Sequence, residues 1–164
     1  MPKGEDASFA SDQKAIISIV KSANTLSLAT LNDQQYPEVS LVPFLYYENR
    51  FYIFVSELSP HTQYLLKHST CSLLVYNNEK EAKNHFAIER LSVSCQAKRE
   101  QKNKELVLDL MAQKLGQTVS LLRQLSDFHL FALTPDSGRL ITGFGKAFDV
   151  DFSDLSITHV NPNQ

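Results

Sequence analysis

The chain has 164 residues, 43% of them hydrophobic, with a formal net charge of −2 and a pI near 6.2. That length suits one domain able to bury its own core without a disulfide staple. The near-balanced charge, with no basic run, argues against a nucleic-acid-binding surface.

No run of 18 apolar residues is present, so no membrane insertion is expected. The polar start Met1-Pro2-Lys3-Gly4-Glu5-Asp6 leads into no apolar segment. A secretory leader is therefore not expected, and the cytoplasm is the expected location. Cys71 and Cys95 are the only cysteines, each inside an alternating apolar stretch and outside any CxxC pairing. They read as buried thiols, not as a disulfide or a metal site.

Residues 1–10 are small and polar and are expected to fray. Ala15, Ile16, Ile19, Val20 and Ala23 recur at helical spacing and predict a helix over 11–23. Strands are then expected over Thr25–Leu31, Val39–Tyr46 and Phe51–Val55. Turns at Asn32–Pro37 and Glu48–Arg50 separate them. Such short connections predict antiparallel neighbours. Phe51, Ile53 and Val55 would face one way and Tyr52 and Phe54 the other, so the third strand is apolar on both faces. Its outer face needs a second subunit or a covering helix.

Ser59 and Pro60 suit the cap and first position of a short helix through His68. Strand four follows at Cys71–Tyr76, then a polar connection to Asn84 and a long fifth strand at Phe86–Ala97. Helices are expected at Glu105–Leu115, stopped by Gly116, and at Thr118–Leu125. Strand six is expected at Phe128–Leu133, a turn at Thr134–Gly138 and a brief seventh strand at Arg139–Ile141. The remainder reads as an extended tail, poor in apolar anchors and expected to be mobile when its site is empty. The fold class is thus mainly β with α: a six- to seven-stranded antiparallel split barrel with flanking helices. Its core runs from Leu26 to about Tyr76. The organisation is a flexible 1–10, a barrel domain over 11–142 and a ligand-binding tail over 143–164.

No hydrolase or zinc signature such as HExxH or GxSxG is present. Gly143-Phe144-Gly145 lacks a third glycine and opens no helix, so it is no dinucleotide loop. Of five histidines, His68 and His85 lie in polar surroundings and read as surface residues. His129 follows Asp127 by two, which places both on one strand face. His61 lies in the first turn of a helix, where backbone N–H groups favour an anion. Read from its surroundings alone, His159 is either a solvated tail residue or a ligand.

The order of Leu26-Ser27-Leu28-Ala29-Thr30-Leu31, Pro43-Phe44, Phe51-Tyr52-Ile53-Phe54-Val55-Ser56 and Ser59-Pro60-His61-Thr62 resembles the pyridoxamine-phosphate-oxidase-like split barrels. Ala87-Ile88-Glu89-Arg90-Leu91-Ser92, Asp127-Phe128-His129-Leu130-Phe131 and Gly143-Phe144-Gly145-Lys146-Ala147 narrow the resemblance to the haem-utilisation branch. It spans residues 12–160.

The resemblance implies a homodimer with ligand held in clefts at the dimer interface. It implies haem as that ligand, bound through its iron by His159 on the tail, with the opposite coordination position open for O2. Asp127 would serve the pocket as an acidic catalytic group, either hydrogen-bonding the ligand imidazole or holding a distal water. His61 and Arg90 would line its polar rim, Arg90 as a propionate partner. The implied activity is oxygen-dependent haem degradation that releases iron, driven by an external electron donor. A non-catalytic haem carrier shares every site residue. In flavin-binding relatives the same cleft holds FMN, with lysine or arginine gripping its phosphate where this chain has His61. An FMN-dependent oxidoreductase is therefore an alternative reading, and a ligand-free dimeric interaction module is another.

Overall fold

The computed structural model describes residues 5–161. The chain starts with helix α1 (Glu5–Ser22), six residues earlier than the apolar pattern suggested. Ile16, Ile19 and Val20 are the buried stripe that docks it on the barrel. Among the described residues nine strands then form one antiparallel sheet: β1 (Thr25–Leu31), β2 (Pro37–Pro43), β3 (Leu45–Tyr47), β4 (Arg50–Ser56), β5 (Thr70–Tyr76), β6 (Arg90–Arg99), β7 (Phe128–Gly143), β8 (Lys146–Asp151) and β9 (Ser156–His159). Helix α2 (Pro60–Lys67) joins β4 to β5, while α3 (Lys104–Leu115) and α4 (Thr118–Leu122) lie between β6 and β7.

The main hydrogen-bonding order is β2-β1-β5-β6-β7-β4-β3. The two strands at its ends, β2 and β3, are consecutive in sequence with only Phe44 between them. That linkage brings the two ends of the path together, so the sheet curls into a half-barrel. It also splits the single expected strand 39–46 in two. Pro43 ends the β1–β2 ladder opposite Thr25, and fully buried Phe44 turns the corner, its ring 5.8 Å from Phe51.

Alternation fills the interior. Leu26 and Leu28 of β1, Cys71, Leu73 and Val75 of β5, and Leu91, Val93 and Cys95 of β6 point inward with Phe51, Ile53 and Val55 of β4. Cys71 and Cys95 face each other across the β5–β6 ladder as free, buried thiols. Burial pushes the Cys71 thiol up to about 12 and raises that of Cys95 as well. The second face of β4 is also buried. Tyr52 and Phe54 pack with Val107, Leu108 and Met111 of α3 and Val119 of α4. A helix layer, and not a second subunit, covers this strand.

Two sequence expectations change. The turn at Thr134–Gly138 does not exist; β7 runs unbroken through it for 16 residues. Pro135 stands opposite Cys95 where the β6–β7 register shifts, and Asp136 is the extra residue. A bulge tolerates a proline because one ladder hydrogen bond is already missing there. The tail, expected to be extended, instead forms the β8–β9 hairpin added to the second half of β7. Val150, Phe152 and Leu155 anchor it in the main core. Smaller differences lie at ends. β6 begins at Arg90, because Asn84 caps a 3-10 turn over His85–Ala87. Ser59 precedes α2 without a side-chain cap hydrogen bond, leaving Pro60 to start the helix.

Candidate functional site

One group of polar side chains gathers where β4 ends and β7 begins. The pairing of Val55 with His129 and Ser56 with Phe128 brings these two segments side by side. Ser56 Oγ donates to Asp127 Oδ2 at 2.6 Å, and the Glu57 N–H donates to the Asp127 carbonyl at 2.8 Å. Asp127 is thereby held by the strand end that it faces.

His129, two residues on, is buried. Its Nδ1 lies 2.7 Å from Arg99 Nη2, and its Nε2 meets Glu57 Oε1. Arginine only donates, so Nδ1 must accept and the ring proton sits on Nε2, donated to the Glu57 carboxylate. Glu57, His129 and Arg99 thus form a chain with a fixed tautomer. Sequence spacing paired His129 with Asp127 but gave no sign of Glu57 or Arg99. Those partners lie 72 and 30 residues away and meet His129 only through the sheet.

His61 is the first-turn residue of α2 expected at the pocket rim. Its Nε2 is enclosed and has no hydrogen-bond partner, in company with Thr30 Oγ1, Ser40 Oγ and Thr62 Oγ1. Burial lowers its pKa from the ordinary histidine value. Helix α2 is tied to the β1–β2 hairpin by Lys67 Nζ, 2.8 Å from Asp33, and by the Tyr64 hydroxyl, 3.4 Å from Glu38.

Arg90 and His159 occupy a different region. Arg90 starts β6, pairs with Tyr76 and Ile141, and donates from Nη1 to the Ile88 carbonyl at 2.9 Å. His159 ends β9, whose only strand neighbour among the described residues is β8. It is exposed, stands edge-on to the Phe148 ring at 5.3 Å, and has Nδ1 3.3 Å from Asn161 Oδ1. Its Nε2 has no hydrogen-bond partner among the described residues. A ring held through one nitrogen with the other available is the arrangement a metal-binding imidazole needs. Among the described residues no cluster of three or more histidine, cysteine, aspartate or glutamate side chains could hold a metal ion by itself. A cleft of about 710 Å³ opens at the same end, between Ser18 and Ser22 of α1, the 77–89 connection and Thr142.

Asp127 and His159, two of the four sequence candidates, therefore lie apart in the protomer. Asp127 sits just before the first residue of β7. His159 lies beside Phe148, which pairs with Leu140 far along the same strand. Eleven residues separate His129 from Leu140, which is about 35 Å of strand at an ordinary β rise.

Comparison with known proteins decides the family. The family model described as pyridoxamine 5'-phosphate oxidase matches residues 13–142. The chain belongs to this family. It is 34% identical over 134 residues to the "Heme oxygenase HutZ" of Vibrio cholerae serotype O1, covering 80% of this chain and 76% of that protein. Among solved structures, HutZ from Vibrio cholerae, described there as a heme storage protein, superposes with a TM-score of 0.72 at 30% identity. That match covers 79% of this chain and 94% of the other. ChuZ of Campylobacter jejuni superposes with a TM-score of 0.82 at 25% identity, covering 94% of this chain and 66% of that one. The matched region spans β1 to the end of β7, so the family assignment covers the barrel, while β8 and β9 lie beyond it. No helix among the described residues is long and apolar enough to cross a membrane.

Proposed function

We propose that this chain binds haem for haem utilisation and, with O2 and an external electron donor, degrades it to release iron. The observation that carries the reading is His159: an exposed imidazole on an edge strand, steadied at Nδ1 by Asn161 with Nε2 unpartnered among the described residues. It occurs in a chain similar to a protein named a heme oxygenase. Bound haem would supply the iron that activates oxygen, and the chain's task is to hold and orient it. His159 is the iron ligand, Arg90 the propionate partner and Asp127 the acidic group of the pocket.

Because Asp127 and His159 lie far apart in one protomer, the reading requires a homodimer in which Asp127 of one copy approaches His159 of the other. The enclosed Nε2 of His61 argues against a phosphate grip at α2, and so against FMN as the ligand in this cleft. His61 belongs to the site, in this reading, as the support of α2 beneath the pocket rim.

Titration of the purified protein with haemin tests the proposal. A sharp Soret band should form at one haem per chain and should be lost in His159→Ala. Unchanged haem binding in that variant would remove the tail ligand. Yellow protein with flavin absorption as purified would favour the FMN reading instead. Adding reductant and O2 to the haem complex should bleach the Soret band and release iron. A persistent band under those conditions would leave a haem carrier.

A further inference from the structure

A second cleft lies where α3 and α4 cover the barrel wall. Its volume is about 260 Å³, and Pro43, Phe54, Met111, Leu115, Val119 and Leu122 supply most of its lining. One cation, Lys114, borders it. The Lys114 ammonium stands 4.3 Å from the centroid of the Phe44 ring. No carboxylate among the described residues forms an ion pair with it. The two acids of α3, Glu105 and Asp109, pair with Arg123 at 2.5 and 2.7 Å.

We propose that this cleft binds a small apolar monocarboxylate, its hydrocarbon body on the α3–α4 floor and its carboxylate on Lys114 Nζ. Three features select that class. The floor offers apolar surface and favours a hydrocarbon body. The half-buried ammonium has lost part of its hydration without gaining an anion, and burial lowers its pKa accordingly. A carboxylate restores the missing counter-charge in a place where water screens it poorly. Finally, a single cation suits a single negative charge; a phosphate or a dicarboxylate would leave charge uncompensated against an apolar wall. The volume lies just under the roughly 300–1,000 Å³ of pockets for drug-sized ligands, which admits one ring or one short chain and not a tetrapyrrole. The site is thus independent of the haem reading.

Isothermal titration of the full chain with octanoate and with 1-octanol tests it. Octanoate should bind, with 1-octanol at least tenfold weaker. Lys114→Met should weaken octanoate at least tenfold and leave 1-octanol and the haemin titration unchanged. Val119→Trp, which fills the cleft, should abolish both ligands while the chain stays folded by circular dichroism. If that variant does not fold, magnetisation transfer from octanoate protons to the Met111 and Val119 methyls of the unmodified protein locates the ligand instead. No octanoate binding, equal affinity for the alcohol, or an unchanged octanoate affinity in Lys114→Met would overturn the proposal.

Discussion

At the scale of single residues, His61 shows how far a sequence can place a group without giving its environment. Ser59-Pro60 set the helix start, and with it the position of the histidine. Nothing local indicates that Nε2 would be enclosed without a hydrogen-bond partner among the described residues. That enclosure has a pH consequence. Burial lowers the folded-state pKa of His61 below the ordinary histidine value, so between those two values the unfolded chain binds the proton and the folded chain does not. Stability therefore falls as pH drops from about 6.5, the unperturbed histidine value, through the lowered one. His61→Gln carries no titrating ring and should flatten this part of the profile. Urea midpoints at several pH values between neutral and mildly acid compare the two; parallel profiles would show that His61 does not contribute. The Glu57–His129–Arg99 chain was illegible for a related reason. Its members are ordinary surface residue types until the β4–β7 and β6–β7 registers bring them together.

At the scale of elements, strands with clean alternation were legible and strands with an irregularity were not. β1, β5 and β6 alternate buried and less buried positions along most of their length, and the sequence located them to within a few residues. In β7 the run Thr134-Pro135-Asp136-Ser137-Gly138 has the composition of a turn, yet it is a bulge within one strand. Composition reports which backbone angles are permitted, and both a turn and a bulge permit these residues. Only the pairing with β6 selects between them. The β8–β9 hairpin of the tail was not legible because its anchors are sparse. Phe152 and Leu155 suffice because both reach the core while β8 supplies the ladder. The β3–β4 turn, by contrast, was correctly placed but is not ideally filled. Tyr47 pairs with Arg50, leaving a two-residue loop in which Glu48 and Asn49 have φ of 48° and 57°. Left-handed values at both positions mark a primed turn, which suits asparagine and disfavours glutamate. Glu48→Asn should stabilise the fold by about 0.5–1 kcal/mol, seen as a higher urea midpoint at unchanged slope. A lower midpoint would show that the Glu48 side chain contributes something the turn geometry does not reveal.

At the scale of the whole molecule, the barrel is legible because its hydrophobic periodicity is local, whereas the proposed homodimer depends on a surface the sequence displays only in part. The apolar outer face of β4 calls for a second subunit or a covering helix, and α3 covers it. One exposed apolar stripe lies on β2 and its neighbours. Val39 and Leu41 are 73% and 68% exposed, stand opposite Ala29 and Ser27 of β1, and Ser27 in turn pairs with Leu74 of β5. The resulting stripe continues toward Tyr76, the cross-strand partner of Arg90. An apolar sheet face that leads to a proposed ligand residue is the surface a second copy would cover, since exposed apolar patches of this kind mark association sites. Val39→Asp combined with Leu41→Asp places two charges on that stripe without touching the barrel interior, because both side chains already face solvent in the protomer. The variant should elute as a monomer in size-exclusion chromatography with light scattering and keep the far-ultraviolet circular dichroism of the unmodified chain. If the haem site spans two copies, the monomer should also bind haemin at least tenfold more weakly. A folded monomer that binds haemin as tightly as the unmodified protein would place the whole site within one chain, and Asp127 would then lose its proposed role at the iron that His159 holds.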